Sequence, residues 1–233
     1  MKKRRFAFFA RVSVNFSEPF YIQRGTPRMA TEKIPDIIIG RLPIYLRALQ
    51  RLSDQGIQTT SSQDLGALVG ISAAQIRKDI SQFGEFGKQG TGYSIPYLME
   101  KLRNILNMDR VWEVVIIGMG DIGHALAHYN GFANRGFHVS MVFDNDPKKI
   151  GQTVGDFRVL DTASMIEKIK QHKIKVAVLT VPATAAQDAT DLLVKAGVKA
   201  ILNYAPISIN VPEDVKVQYI DPVTHLQRMT YYL

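Results

Sequence analysis

Apolar residues in the first third of the chain recur at the three- and four-residue spacing of an α-helix. Four leucines follow this spacing, namely Leu42, Leu46, Leu49 and Leu52. They predict an amphipathic helix over residues 44–55, with Pro43 tolerated in the first turn and Gly56 at the end. A helix predicted over residues 98–108 connects this region to the rest of the chain.

Two helix-capping sequences lie between these helices. Ser61-x-x-Asp64 and Ser72-x-x-Gln75 each match the capping box, in which side chain and backbone three residues apart exchange hydrogen bonds. They predict a short helix after the first box and a second helix over residues 73–83. Three helices joined by such short turns are typical of a helix-turn-helix.

The predicted helix over residues 73–83 buries Ile76, Ile80 and Phe83, so its polar side chains point elsewhere. Polar donors in this position suit the phosphates and base edges of DNA. The residues expected to contact DNA from this helix are Gln75, Arg77, Lys78 and Ser81.

A glycine-rich segment follows that helix. Four glycines among residues 84–92, and a short alternating strand after them, predict a β-hairpin wing whose tip carries Lys88 toward a minor groove. The alternative is that Arg77 and Lys78 are solvated surface charges, as most basic pairs are. The capping boxes, the turn spacing and the hairpin together favour DNA binding.

From residue 114 onward, short apolar runs alternate with helical segments. The run at residues 114–117 leads directly into G-x-G-x-x-G at residues 118–123. The strands and helices predicted after it cover residues 139–143, 157–160, 162–171, 175–181, 183–195 and 200–203. This alternation predicts right-handed crossovers and a parallel sheet.

The glycine sequence is typical of a loop that binds a dinucleotide pyrophosphate. Gly118 permits the turn, Gly120 lets the anion approach, and Gly123 lets the helix pack closely on the sheet. The loop residues predicted to contact the cofactor are Gly118, Met119, Gly120, Asp121, Ile122 and Gly123.

Asp144 follows Gly123 by twenty-one residues, at the end of the next strand, where an acid binds the adenosine ribose. It favours NAD(H) over NADP(H); the alternative is a surface turn residue in D-N-D-P. Ligands of parallel sheets also contact the carboxyl ends of other strands. The segments expected to contact the cofactor there are Thr180-Val181-Pro182 and Asn203-Tyr204-Ala205-Pro206.

Candidates for catalytic chemistry are few. A dehydrogenase needs a group that exchanges a proton during hydride transfer. His124 and His128 have metal-ligand spacing, but no third ligand is near in sequence, so we expect surface histidines and no metal. Tyr129 is either a cofactor contact or an aromatic residue packed under the sheet.

Charge and composition limit the possible classes. The chain of 233 residues has a net charge of +8, but residues 1–28 hold seven Lys and Arg against one Glu. We expect residues 1–33 to be a disordered or spurious extension, because its apolar run is too short for a signal peptide. Cysteine is absent, which excludes disulfides and thiolate metal sites. We expect a cytoplasmic protein without a membrane span.

The last stretch, residues 222–233, has an apolar stripe at helical spacing, so it needs a partner, either its own sheet or another subunit. Three functional classes remain open. The chain is a ligand-responsive DNA-binding protein, a small NAD-dependent oxidoreductase or CoA-binding protein with an appended helix-turn-helix, or a protein whose N-terminal domain binds other proteins.

These motifs together resemble the Rex family of redox-sensing transcriptional repressors over residues 34–233. The resemblance rests on Arg41-Leu42-Pro43, Gln75-Ile76-Arg77-Lys78-Asp79, F-G-E-F-G-K-Q-G-T-G-Y at residues 83–93, and G-M-G-D-I-G. It implies a homodimer that binds operator DNA when NADH is scarce and leaves it when NADH binds. It therefore implies a regulatory protein with no catalytic residue.

The resemblance also implies roles for single residues. Tyr129 corresponds to a tyrosine near the nicotinamide. Arg47 and Asp221 correspond to an arginine and an aspartate that pair between subunits, beside a C-terminal helix that the subunits exchange. Asp121 stands where some members carry Arg, which weakens charge complementarity to the pyrophosphate, and Pro222 stands where some carry Phe.

The predicted fold class is α/β. We expect a winged helix-turn-helix domain at residues 34–107, a Rossmann-like parallel-sheet NAD(H)-binding domain at residues 111–220, and a dimer-exchange helix at residues 221–233. The expected ligand is NADH or NAD⁺, and the expected partners are double-stranded operator DNA and a second copy of the chain. Neither a membrane nor a metal is expected.

Overall fold

The computed structural model describes residues 34–84, 86 and 92–233. The predicted extension at residues 1–33 and the predicted wing residue Lys88 lie outside the described residues. In the described part of the chain, every helix is too short or too polar to cross a membrane.

The N-terminal domain is built mainly from helices around one apolar core. Its elements are α1 (Asp36–Ile39), α2 (Leu42–Asp54), β1 (Thr59–Thr60), α3 (Ser62–Val69), α4 (Ala73–Ser81), β2 (Tyr93–Ser94) and α5 (Ile95–Ile105). Leu49 of α2, Leu65 of α3, Ile76 of α4 and Leu98 of α5 are fully buried against one another. The predicted helices are therefore confirmed, with ends shifted by a few residues.

The two capping sequences form differently. Ser61 caps α3 as predicted, because its Oγ accepts the Asp64 N–H at 3.0 Å and Asp64 accepts the Ser61 N–H at 3.2 Å. Ser72 Oγ also accepts the Gln75 N–H, at 3.2 Å. The Gln75 side chain, however, donates to Asp79 at 2.7 Å. The second reciprocal box was a wrong prediction, because a buried carboxylate competes for the Gln75 amide.

The strand after the glycine-rich segment has an unexpected partner. β2 pairs antiparallel with β1, so that Tyr93 lies opposite Thr60. Gly92, just before β2, has φ +74°, and a Cβ there would lie 2.6 Å from the Thr60 carbonyl oxygen. β1, which precedes α3, therefore pairs with β2, the strand that was predicted to follow the glycine-rich segment.

The second domain alternates strands and helices. Its elements are β3 (Trp112–Ile117), α6 (Asp121–Ala127), β4 (Phe137–Asp144), β5 (Thr153–Val154), β6 (Phe157–Asp161), α7 (Met165–His172), β7 (Val176–Leu179), α8 (Ala183–Ala196), β8 (Ala200–Asn203), β9 (Lys216–Tyr219) and α9 (Pro222–Thr230). The strand order is β5-β6-β4-β3-β7-β8-β9, and only β5 runs antiparallel to its neighbour. The predicted parallel sheet is confirmed, and β5 and β9 are additions.

β3 lies at the centre of the sheet and is buried on both faces. Val115 and Ile117 pack toward the core that contains α7 and α8 residues, whereas Val114 and Ile116 pack on the other side with Leu126 of α6. The chain continues from β3 to β4 on one side and later returns to β7 on the other. Ligands of such sheets bind at this reversal of strand order, beside the carboxyl ends of the strands.

Candidate functional site

The loop between β3 and α6 has the geometry that its glycines predict. Gly118 has φ +96°, and a Cβ there would lie 2.8 Å from the Thr180 carbonyl oxygen and from Val181 Cγ1. A Cβ on Gly123 would collide with the Gly118 carbonyl oxygen. No described heavy atom lies within 4 Å of a Cβ built on Gly120. The first and third glycines are therefore required by the protein itself, and the second faces open space.

Thr180 stabilises this loop from the end of β7. Its Oγ1 lies 2.7 Å from the Gly118 carbonyl oxygen and 2.9 Å from that of Ile117, and its hydroxyl donates toward both. Because a hydroxyl has one hydrogen to donate, the two carbonyls share it. Thr180 thus links the end of β7 to the glycine loop that follows β3, the neighbouring strand in the sheet.

Asp144 is a buried carboxylate at the end of β4. Its Oδ2 accepts the Met119 N–H at 2.6 Å and Lys149 Nζ at 3.1 Å, and its Oδ1 accepts the Asp146 N–H at 2.8 Å. Burial acts to raise the pKa of Asp144, but these hydrogen bonds outweigh it and lower the pKa. The carboxylate is therefore ionised, and it holds the glycine loop against the turn after β4.

A cavity of about 670 Å³ opens at the carboxyl ends of the strands. The predicted cofactor residues that line it are Gly118, Gly120, Asp121, Ile122, Asp144, Thr180, Val181 and Pro182. Tyr204 and Pro206, from the segment expected to contact the cofactor after β8, line it as well. So do residues that the sequence did not indicate, among them Asn145, Asp146, Lys149 and Asp188. Asn145, Asp146 and Lys149 follow the end of β4, so the strand-end rule could have found them.

Five predicted cofactor residues do not line this cavity. Met119 and Gly123 are buried, Met119 donating its N–H to Asp144. Asn203 and Ala205 are also buried, and the Asn203 amide bonds the Ala205 N–H at 2.9 Å and the Ile207 carbonyl at 3.0 Å. Tyr129 is half-exposed and borders a different groove. The buried residues Met119, Gly123, Asn203 and Ala205 support the cavity walls. A position at the end of a strand does not by itself distinguish such a supporting residue from one that contacts the cofactor.

That different groove lies on the α6 side of the sheet and has a volume of about 870 Å³. Side chains of β3, β7, β8 and β9 line it, together with Asp36 of α1. Tyr129 meets Phe132 edge to face at its margin, with ring centroids 5.4 Å apart. The groove therefore presents an apolar floor close to α1 of the N-terminal domain.

The predicted DNA contacts on α4 divide into two groups. Arg77, Lys78 and Ser81 are exposed, and Ser81 lies three residues after Lys78 and four after Arg77, which makes it a neighbour of both on the helix surface. Arg77 Nη1 donates to Ser62 Oγ at 2.9 Å, so its guanidinium also contacts α3. Gln75 is half-buried because its amide nitrogen bonds Asp79.

Arg47 and Asp221, the implied pair between subunits, are both exposed or half-exposed. Asp221 caps α9, since it accepts the Val223 N–H at 2.9 Å and the Thr224 hydroxyl at 2.8 Å. The Thr224 hydrogen bond is the main reason that the pKa of Asp221 is lowered. Within the described chain, no ion pair joins Arg47 to Asp221.

The apolar stripe of α9 faces away from the rest of the chain. Val223, Leu226 and Met229 are 58%, 60% and 62% exposed, and every other residue of the helix is exposed too. His124 and His128 are likewise on the surface. No cluster of three or more His, Cys, Asp or Glu side chains among the described residues is arranged to bind a metal ion.

Comparison with known proteins identifies both domains. The family described as "Putative DNA-binding protein N-terminus" matches residues 33–81, and "CoA binding domain" matches residues 109–207. A "Redox-sensing transcriptional repressor Rex" of Chloroflexus aggregans is 49% identical over 87% of this chain and 96% of its own length. The repressor of the same name from Desulforamulus reducens is 44% identical over 88% and 98%, respectively.

Solved structures are similar over the same length. The structure described as "RSP in complex with beta-NAD+ and operator DNA" has a TM-score of 0.81, 36% identity, and coverage of 85% of this chain and 92% of that one. The complex of RSP with beta-NADH has a TM-score of 0.78, 34% identity, and coverage of 86% and 94%. RSP itself is described as a Rex-family repressor. The chain therefore belongs to the Rex family of redox-sensing transcriptional repressors, as its motifs indicated.

Proposed function

We propose that this repressor binds operator DNA through the exposed side of α4 and leaves it when NADH occupies the cavity at the carboxyl ends of the sheet. The observation that carries the proposal is the open cavity above Gly120, in a chain whose separate N-terminal domain exposes Arg77 and Lys78. The RSP complexes with NAD⁺ and operator DNA, and with NADH, support it.

In the cofactor site, Gly120 lets the pyrophosphate approach, and Asp144 with Lys149 borders the adenosine ribose. The buried carboxylate of Asp144 disfavours a 2′-phosphate, which favours NAD(H) over NADP(H). Asp121 and Ile122 contribute the first turn of α6, and Val181 and Pro182 the opposite wall. The relatives are repressors and not enzymes, so neither an oxidoreductase nor a CoA-binding protein is favoured.

On the DNA side, Arg77, Lys78 and Ser81 are the proposed contacts of α4, and Lys88 is the proposed contact of the wing. Gln75 is a contact through its amide oxygen or the second hydrogen of Nε2, because the first hydrogen is donated to Asp79. The basic side chains attract phosphates, and the polar ones discriminate base edges. The N-terminal domain, residues 34–107, is thus the proposed DNA-binding unit, and it acts on the chromosome in the cytoplasm.

The proposed dimer exchanges α9. The exposed stripe of α9 needs an apolar partner surface, and the groove on the α6 side of the sheet offers one. Seated there, the helix from residues 221–233 of one subunit lies between the NAD(H)-binding domain, residues 111–220, and α1 of the other. Asp221 then meets Arg47 across subunits, and Tyr129 lies at the margin of the same groove.

NADH releases DNA only if it binds one dimer arrangement better than the other. Complete switching requires about 5.5 kcal/mol of differential binding, so partial release is expected at moderate differences. The test is fluorescence anisotropy on a duplex that the protein itself selects from a random pool, with NADH, NAD⁺ or CoA added. NADH should weaken binding more than NAD⁺ or CoA; equal DNA affinity with NADH and NAD⁺ would refute the sensor.

A further inference from the structure

A buried carboxylate lies at the centre of the N-terminal domain. Asp79, on α4, is fully buried, and its two oxygens accept four hydrogen bonds. Arg41 donates from Nε to Oδ2 at 2.6 Å and from Nη2 to Oδ1 at 2.7 Å. The Tyr45 hydroxyl donates to Oδ2 at 2.6 Å, and Gln75 Nε2 donates to Oδ1 at 2.7 Å. These four side chains form what we call the Asp79 cluster.

The charge states in the cluster are well defined. Burial acts to raise the pKa of Asp79, but the bonds from Arg41, Tyr45 and Gln75 outweigh it and lower the pKa. Burial, and then the bond to Asp79, raises the pKa of Tyr45, so its hydroxyl stays protonated and donates. A buried ion pair is weak evidence for stability, because desolvation offsets much of the attraction. Its directional bonds can instead specify one arrangement of the elements they join.

The cluster joins α4 to α2 beside the DNA contacts. Arg41 immediately precedes α2, Tyr45 lies in its first turns, and Asp79 follows Arg77 and Lys78 directly on α4. The fully or nearly buried apolar anchors of α4 are Ile76 and Ile80. Apolar contact is non-directional, so two anchors resist separation of the helices but resist rotation of α4 much less. Hydrogen bonds weaken steeply off axis and therefore resist rotation.

We propose that the Asp79 cluster is a positioning device that sets the rotation of α4 and thereby the direction of its polar contacts, Gln75 and Ser81, toward the base edges. Arg41 and Tyr45 are its positioning residues and do not themselves contact DNA. This inference rests on the proposed DNA-binding function of α4. It assigns sequence discrimination in part to side chains that face away from the operator.

The consequence is a loss of discrimination rather than a general loss of DNA binding. Contacts to base edges depend on side-chain direction, whereas contacts to phosphates tolerate small rotations and carry little sequence information. A loosened cluster should therefore weaken binding to the selected operator and leave binding to a scrambled duplex nearly unchanged. The cofactor cavity shares no residue with the cluster, so NADH binding should also remain unchanged.

The test compares two matched substitutions. Tyr45→Phe removes one hydroxyl from the cluster and keeps the ring. Tyr219→Phe removes a hydroxyl that bonds the Ile209 backbone at 3.2 and 3.3 Å, in the other domain. Arg41→Lys, as a third variant, keeps the charge but loses the two-pronged geometry. Dissociation constants for the operator and a scrambled duplex of equal length are measured well below the lowest melting temperature.

Tyr45→Phe should raise the operator dissociation constant roughly tenfold, with about twofold change or less for the scrambled duplex. Arg41→Lys should act in the same direction, and Tyr219→Phe should change neither constant. The salt dependence of Tyr45→Phe should match that of the wild type, since no phosphate contact is lost. NADH titration of each variant verifies that the second domain is folded.

If Tyr45→Phe lowers the melting temperature but keeps the wild-type ratio of the two constants, the cluster only stabilises the domain and the inference is wrong. A ratio that changes equally in Tyr219→Phe would also overturn it. Should Arg41→Lys fail to fold, Tyr45→Phe alone decides. A wild-type protein that does not distinguish operator from scrambled DNA would refute the proposed function instead, which is a different result.

Discussion

Replacing Gly120 with leucine separates cofactor binding from folding. A Cβ at this position meets no described heavy atom within 4 Å, and the backbone there is extended, with φ −82° and ψ −167°. Leucine therefore fits the backbone without strain and extends into the cavity that is proposed to hold the pyrophosphate. The substitution should block NADH and leave the repressor bound to DNA.

The expected change in stability is small. Replacing a glycine lowers the entropy of the unfolded chain, which stabilises by about 0.4–1 kcal/mol. Gly120 is also the N-cap of α6, where an apolar side chain is worse than glycine by roughly the same amount. The two effects oppose each other, so the melting temperature should move by no more than about 2–4 °C. Loss of NADH binding should exceed about 2 kcal/mol, or roughly thirtyfold.

The assay is NADH fluorescence titration together with operator anisotropy in the same buffer. Gly120→Leu should bind operator DNA with nearly wild-type affinity, and NADH should no longer release it. Gly123→Ala is the matched control, because a Cβ there collides with the Gly118 carbonyl oxygen. That variant should lose stability, by about 1–3 kcal/mol, as overpacked interiors do.

Two results would refute the reasoning about Gly120. An NADH titration of Gly120→Leu that coincides with the wild-type curve would mean that the pyrophosphate lies elsewhere. A large drop in melting temperature would mean that the space above Gly120 belongs to the packed interior, in which case lost NADH binding would say nothing about the cofactor site.

Three further predictions concern the other parts of the molecule. Arg77→Ala and Lys78→Ala should each weaken DNA binding and lower the slope of log Kd against log salt by about one, with NADH titration unchanged; an unchanged slope contradicts a phosphate contact. Deleting residues 222–233 should convert the dimer to monomer in sedimentation velocity, and a persisting dimer would exclude α9 as the exchanged element. The lowered pKa of Asp79 means that its ionised form stabilises the fold above the ordinary aspartate pKa of about 3.9, and that this contribution is lost as the pH falls toward the lowered value. Urea midpoints measured from pH 6 downward should fall more steeply for the wild type than for Asp79→Asn, and parallel curves would contradict this.

Much of the fold was predictable because its signals are local. Ser61 and Asp64 cap α3 within one turn of helix, so their pairing follows from spacing alone. The apolar run of β3 indicated a strand, which the structure buries on both faces, and the glycines after it indicated the turn into α6. β9 was missed because it is an edge strand whose four residues are mostly exposed, so it has no apolar run to detect.

The individual site residues were predicted less well, because their roles depend on partners distant in sequence. Gln75 was expected to close a capping box, but Asp79 takes its side chain, with Arg41 binding the same carboxylate from 38 positions away. Asp144 as a ribose contact stays a prediction, whereas the structure shows that its carboxylate accepts the Met119 N–H from 25 positions away.

Most of the elements, the order of the domains and the glycine loop thus follow from the amino-acid sequence alone, since helix periodicity, caps and backbone freedom are properties of neighbouring residues. Which polar groups form hydrogen bonds with one another, in contrast, depends on the three-dimensional fold. A buried carboxylate must be satisfied by whichever donors the fold brings within hydrogen-bond distance. That requirement turns Arg41, Tyr45 and Asp79 into one cluster, a relationship that no spacing along the chain expresses.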